Sequence, residues 1–114
     1  MVTARLTVQP RYFDAIKKGT KTVEGRIGRP KYRSLRAGDA IIFQNGETHD
    51  VLTKTVAHVE LFPTFRQMLQ TNGLGPVFGD VMVTTLSQAC EIYYSFGDYK
   101  TEEANFGVVA IYVS

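Results

Sequence analysis

The spacing of apolar residues changes several times along the chain, and each change marks an element. Ala4 to Val8 reads as a short first strand. Pro10 suits the first position of a helix, because its missing N–H is not needed there. Tyr12, Phe13 and Ile16 share one face of that helix, Lys17 and Lys18 favour its C-terminal end, and Gly19 supplies the left-handed stop. Thr22 to Ile27 is predicted to be extended, and Gly28 to Gly38 to be a basic loop. Asp39 to Gln44 reads as a buried strand, and Asn45-Gly46 turns it into the next one.

Val51 to Phe62 is predicted as a long strand with Val51, Thr53, Thr55, Ala57, Val59 and Leu61 on one side. Thr64 with Gln67, and Thr85 with Gln88, form capping boxes that open two further helices. Between them, Asn72 to Val83 contains Gly73, Gly75, Pro76 and Gly79 and is predicted as a loop. The last segment, Phe106 to Val113, is apolar on both faces, as a central covered strand should be. The order β-α-β-β-β-α-α-β, with hairpins and no regular βαβ repeat, predicts a small α+β barrel rather than a doubly wound sheet.

Length and composition restrict the picture further. The chain has 114 residues, enough for one domain (residues 1–114) that folds without disulfides or a structural metal. At 44% hydrophobic and 21% charged it is an ordinary globular mixture. The longest apolar run, Val108 to Val113, falls far short of the roughly 20 residues of a membrane span. The N-terminus has no apolar signal core, so a cytoplasmic location is expected. The single cysteine, Cys90, excludes an internal disulfide and a CxxC pair. The net charge of +2 conceals an asymmetry. Residues 1–36 hold ten of the 13 Lys and Arg against two acidic residues, a net +8, and the remainder carries −6. One face attracting a polyanion would explain this, and so would charges scattered over a solvated surface.

Several site types are absent from the sequence. The glycines fit neither phosphate-loop pattern, His49 and His58 lack metal-ligand spacing, and no serine sits in a nucleophile signature. Gly19-Thr-Lys-Thr-Val-Glu-Gly-Arg26 is different, because it places Lys21, Glu24 and Arg26 together within the basic third. The ammonium can hold a phosphate or polarise a carbonyl, the carboxylate can accept from a base's exocyclic amine, and the guanidinium can grip phosphate or the carboxylate. A surface salt bridge between Glu24 and Arg26 is the alternative. In a regular strand Lys21 faces away from Glu24, so their convergence is expected to require a bulge or a strong twist, for which Gly25 is a suitable place.

At these residues the chain resembles the ASCH domains, small members of the PUA-like superfamily. Gly19, Lys21, Glu24 and Arg26 match the pattern GxKxxExR. The resemblance extends to Leu35-Arg-Ala-Gly-Asp-Ala-Ile-Ile-Phe43, to Tyr93-Tyr94 on the late helix, and to Phe106-Gly-Val-Val-Ala-Ile111. It implies a mixed pseudo-barrel of about five to six strands flanked by about three helices, with the motif lining a cleft that binds RNA or nucleosides. Some members are amidohydrolases acting on N(4)-acetylcytidine, with a Lys, Thr and Glu catalytic set, and others are ribonucleases. Lys21 matches the Lys, but Glu24 occupies the Thr position and Asp80 is the nearest carboxylate to the Glu position.

The expected function is therefore RNA or modified-nucleoside binding, with a small hydrolase in which Lys21 is catalytic as the alternative. Lys21, Glu24 and Arg26 are expected in the cleft, with the Asn72 to Val83 loop as its far wall. Arg29, Lys31 and Arg33 are expected to extend an electrostatic path, and Tyr32 either to offer a stacking surface or to anchor the loop by packing. The expected partner is RNA or a nucleoside-type small molecule, with no cofactor, metal or membrane and a monomeric chain.

Overall fold

The computed structural model describes residues 1–114. Five strands and six helices follow the order β1 (Thr3–Val8), α1 (Pro10–Lys18), β2 (Val23–Ile27), α2 (Pro30–Arg33), β3 (Ala40–Asn45), β4 (Val51–Phe62), α3 (Phe65–Asn72), α4 (Leu74–Phe78), α5 (Leu86–Tyr94), α6 (Tyr99–Phe106) and β5 (Val108–Val113). The strands form one curled sheet in the order β1-β3-β4-β5-β2. β1 runs parallel to β3, and every other neighbouring pair is antiparallel. This is the α+β half-barrel of the PUA-like fold. No helix is long and apolar enough to cross a membrane.

β4 is the spine of the sheet. Its first half, Val51 to Thr55, pairs with β3, and its second half, Val56 to Phe62, pairs with β5. The register shifts between Val56 and His58, where the strand exchanges partners. A bulge bends a strand and increases its twist, so this is where the sheet curls. The curl brings the two edge strands, β1 and β2, toward one another: the Arg26 side chain on β2 reaches Thr7 O on β1 at 3.2 Å. β5 is covered on both faces, with Val108 to Ile111 all essentially inaccessible, as its unbroken apolar run requires.

The helices pack onto this sheet by the capping chemistry written in the sequence. α1 starts at Pro10, buries Tyr12, Phe13, Ala15 and Ile16, and ends at Gly19, whose φ of 86° a residue with a side chain would adopt only under strain. Thr64 and Thr85 each accept a hydrogen bond from the backbone N–H three residues on, at 3.1 Å. The Glu103 carboxylate accepts from Phe65 N–H at 2.8 Å and from the Tyr94 hydroxyl, tying α6 to α3 and α5.

Three of the six helices lie where no helix was predicted from the pattern. α2 occupies the basic loop, α4 lies inside the glycine-rich segment, and α6 precedes β5. None has a clear apolar stripe. Each is held by contacts from elsewhere: α2 by Arg29 to Glu102 and Arg33 to Phe106 O, α4 by Thr22 N–H to Pro76 O. The Thr64 cap supplies a direct test of the local reading. Thr64→Ala should lower unfolding stability by about 1 kcal/mol, measured by urea denaturation, and no change would show that α3 is held by tertiary contacts alone.

Candidate functional site

Lys21 does not belong to β2. It lies in the bend between α1 and β2, where its N–H still bonds to Ala15 O at 3.1 Å. Strand parity therefore does not govern its direction. The β2–β5 register runs from Val23 to Ile27 without interruption, so the bulge expected at Gly25 is absent. Lys21 turns inward from the bend and Glu24 from the strand, and they meet. The Lys21 ammonium lies 3.1 Å from Glu24 Oε1 and donates to Val23 O at 2.7 Å and Val77 O at 2.5 Å. Val77 is near the C-terminal end of α4, where a cation also meets the negative end of the helix dipole.

Glu24 is 6% exposed and Lys21 is 4% exposed. Arg26 closes the other side of the carboxylate, with Nε and Nη2 both 2.8 Å from Oε2. Burial alone would raise the Glu24 pKa, but Lys21 and Arg26 together outweigh it and hold the carboxyl below its ordinary value. Burial pulls the Lys21 pKa down, opposed by Glu24. Its three acceptors nonetheless need three N–H bonds, which only the ammonium form supplies. Burial would depress Arg26, but Glu24 reverses this and raises it. An ionised carboxylate offers about four lone-pair sites. Three are engaged here, and one, on Oε1, remains.

This triad forms part of a cleft of about 200 Å³. One side comes from Thr7, Val8 and Gln9 at the end of β1, and another from Gly25 and Arg26 on β2. The remaining walls are Tyr12 of α1, Val77 and Phe78 of α4, Ile92 and Tyr93 of α5, Phe96, and Tyr99 of α6. The far wall thus includes part of the Asn72 to Val83 segment, but as apolar side chains of a helix rather than as bare glycine backbone. The cleft tyrosines Tyr12, Tyr93 and Tyr99 all have pKa values raised, first by burial and with Glu24 adding to it, so they stay neutral. The aromatic rings form a continuous lattice in which Tyr93 stacks on Phe65 at 4.1 Å and Phe96 meets Tyr99 edge-on at 5.6 Å. Gly25 permits this closeness, since a Cβ there would lie 2.6 Å from Met68 Cε and 2.8 Å from the Tyr93 hydroxyl.

Of the residues singled out in the sequence, Lys21, Glu24 and Arg26 come together in the cleft. Arg29, Lys31, Tyr32 and Arg33 do not line it. Arg29 pairs with Glu102 and lies over the Phe106 ring, Arg33 donates to Phe106 O, and Lys31 lies 5.1 Å from the Tyr32 ring centroid. The aromatic walls were not anticipated as a site. Tyr12 and Tyr93 sit on apolar helix faces, and Phe96, just past the end of α5, continues that spacing in the sequence, so the pattern reads as core. The available signal was the hydroxyl: a tyrosine on an apolar stripe needs a polar region for its tip. Cys90 is a buried thiol on α5, and no group of acidic, histidine and cysteine side chains is arranged to hold a metal.

The clamp around Glu24 has a pH signature. Its folded pKa lies below its ordinary value of 4.5, so its stabilising contribution is complete above pH 4.5 and is lost as pH falls through the lower folded value. Glu24→Gln leaves the buried Lys21 and the half-buried Arg26 without a counter-charge and should cost about 3 kcal/mol at pH 7. In urea titrations the gap between wild type and Glu24→Gln should narrow once pH drops below 4.5. A gap that stays constant to acid pH would show that Glu24 is not held ionised by its neighbours.

Comparison with known proteins agrees with this architecture. No curated protein sequence matches the chain. The crystal structure of a hypothetical protein, PH0355, is similar at 30% identity and a TM-score of 0.86, covering 99% of this chain and 98% of that one. The solution structure of protein PF0455 from Pyrococcus furiosus is similar at 29% identity and a TM-score of 0.76, covering 99% and 96%. The ASCH domain family model matches residues 6–114. A curled five-stranded PUA-like sheet and a family match over nearly the whole length lead to one conclusion: the chain belongs to the ASCH domain family.

Proposed function

We propose that the protein binds RNA or a nucleoside by taking a base into the cleft, where Glu24 accepts from an exocyclic amine. The observation that carries this reading is the state of the triad. Both cations are engaged by protein acceptors, while the carboxylate keeps one lone pair in an aromatic-walled space. At about 200 Å³ the cleft is smaller than typical drug-sized pockets of ~300–1,000 Å³, which suits one planar base. The rings supply flat apolar walls, and a fixed carboxylate rejects a carbonyl at the same place by charge repulsion.

Lys21 holds Glu24 and α4 in this reading, and its engaged ammonium does not approach the ligand. Arg26 orients the carboxylate and braces the β1 edge. Backbone phosphates would meet exposed cations outside the cleft. Arg11 is exposed and lies 5.1 Å from the ring centroid of Tyr12, which lines the cleft, and Lys31 is exposed as well. Arg29 and Arg33 contribute more weakly, because Glu102 and Phe106 O already occupy them.

A paired nucleoside screen tests the cleft. Cytidine and adenosine should raise the melting temperature, and their oxo counterparts uridine and inosine should not. At a ligand concentration 100 times Kd the stabilisation is about 2.7 kcal/mol, or several degrees. Equal shifts within each pair would refute the role given to Glu24. For RNA, log Kobs should fall by roughly 0.7 per tenfold rise in salt for each phosphate contacted on a single strand. The double reversal Arg11→Glu with Lys31→Glu should lower both affinity and slope. Unchanged binding to a short single-stranded RNA would remove these cations from the interface.

A further inference from the structure

β2 is an edge strand. β5 lies on one side, and the other side faces the cleft. In an antiparallel ladder, residues alternate between exchanging both main-chain hydrogen bonds with the neighbour and directing both groups away from it. The bonds from Val113 N–H to Thr22 O and from Gly28 N–H to Gly107 O fix the phase of this ladder. With Glu24 opposite Ile111, Gly25 opposite Ala110 and Arg26 opposite Val109, Glu24 and Arg26 bond to β5. Val23, Gly25 and Ile27 direct their main-chain groups to the open edge.

Most carbonyls along this seam have partners within the protein. Val23 O accepts from Lys21 Nζ at 2.7 Å, and Ile27 O accepts from Arg29 N–H at 2.8 Å. Across the cleft, Thr7 O of β1 accepts from Arg26 Nη2 at 3.2 Å. The Gly25 peptide groups have no such partner: no side chain or loop bonds to its N–H or its C=O. Gly25 is buried, and as a glycine it can line the cleft only with main-chain atoms. Buried peptide groups are nearly always paired, so an unpaired N–H and C=O side by side in a cleft mark a place for a ligand.

We propose that the Gly25 peptide is a main-chain recognition element of the cleft, pairing with the edge of an amine-bearing base as a missing strand would. The proposal rests on the base-binding reading above and extends it. In cytosine and adenine an exocyclic amine stands beside a ring nitrogen that accepts. One amine hydrogen goes to Gly25 O, the ring nitrogen accepts from Gly25 N–H, and the other amine hydrogen goes to Glu24 Oε1. Uracil reverses both positions: its carbonyl meets two acceptors, and its ring N–H meets the Gly25 N–H. The discrimination therefore comes from the peptide and the carboxylate together, and the peptide's share cannot be removed by changing a side chain.

Amide hydrogen exchange of the full-length ¹⁵N-labelled protein tests this directly. In the free protein Gly25 N–H should exchange fast while the Glu24 and Arg26 amides are slow. Cytidine or adenosine at 100 times its Kd leaves about 1% of the protein free, so Gly25 exchange should slow about 100-fold. 3-Deazacytidine keeps the amine but carries C–H in place of the ring acceptor. It should bind about two- to tenfold more weakly than cytidine and leave Gly25 unprotected. Slow Gly25 exchange in the free protein would overturn the proposal. So would a nucleoside that binds, by the shifts of its neighbours, without protecting Gly25, and that result would leave the cleft reading intact. If neither cytidine nor adenosine binds, both fall.

Discussion

Glu24 stays ionised at 6% exposure because Lys21 and Arg26 reach it from opposite sides, and each cation is also anchored elsewhere. Lys21 bonds to Val77 O and so joins the start of β2 to α4. Arg26 bonds to Thr7 O and so joins β2 to the far edge of the sheet. One carboxylate therefore organises the contacts that fasten β2 to two other parts of the chain, α4 and β1. A one-residue slip of β2 would turn Glu24 and Arg26 to the other face and leave Lys21 buried alone, which makes the clamp a register device as well as a site.

The apolar part of the cleft has the same double character. Tyr93 belongs to the hydrophobic core, stacked on Phe65, and also faces the cleft. Tyr12 and Phe78 share both memberships. Walls that are also core are rigid, because a side chain packed at interior density has few other rotamers to adopt. A ligand entering such a space meets surfaces already in position. The polar groups are equally fixed, since the ion pairs that orient Glu24 exist before anything binds.

Much of the frame could be read from the chain because its signals are local. Pro10 and Gly19 bound α1, Thr64 and Thr85 cap their helices, and the extent of β4 from Val51 to Phe62 was legible. The register shift between Val56 and His58 nevertheless turns Val59 to the face opposite Val51, Thr53 and Thr55. The motif at Lys21, Glu24 and Arg26 was legible as a constellation, though the route of convergence was not. The strand begins at Val23, so Lys21 is free of strand parity and Gly25 has no bulge to make. What stayed hidden depends on distant partners. α2 needs Glu102 and Phe106, α4 packs against β2, and α6 holds α3 through Glu103. Nor does an apolar helix face reveal whether a ring touches core or cleft, and Tyr93 touches both.

β2 has a single strand neighbour, β5, and that neighbour lies far along the chain, after the two strands and four helices that follow α2. During synthesis the motif at Lys21 to Arg26 leaves the ribosome well before Val108 to Val113. Until β5 docks, β2 has no ladder to fix its direction, and Lys21, Glu24 and Arg26 remain hydrated in an unformed segment. The charges are thus drawn into the interior as a late event, when the strand that fixes β2 in place has also buried the surrounding apolar surface. Long-range pairing of this kind is slow to form because the intervening chain must first be closed into a loop. The cleft and its charged triad are accordingly a product of the completed sheet, and a fragment ending before Val108 does not carry them.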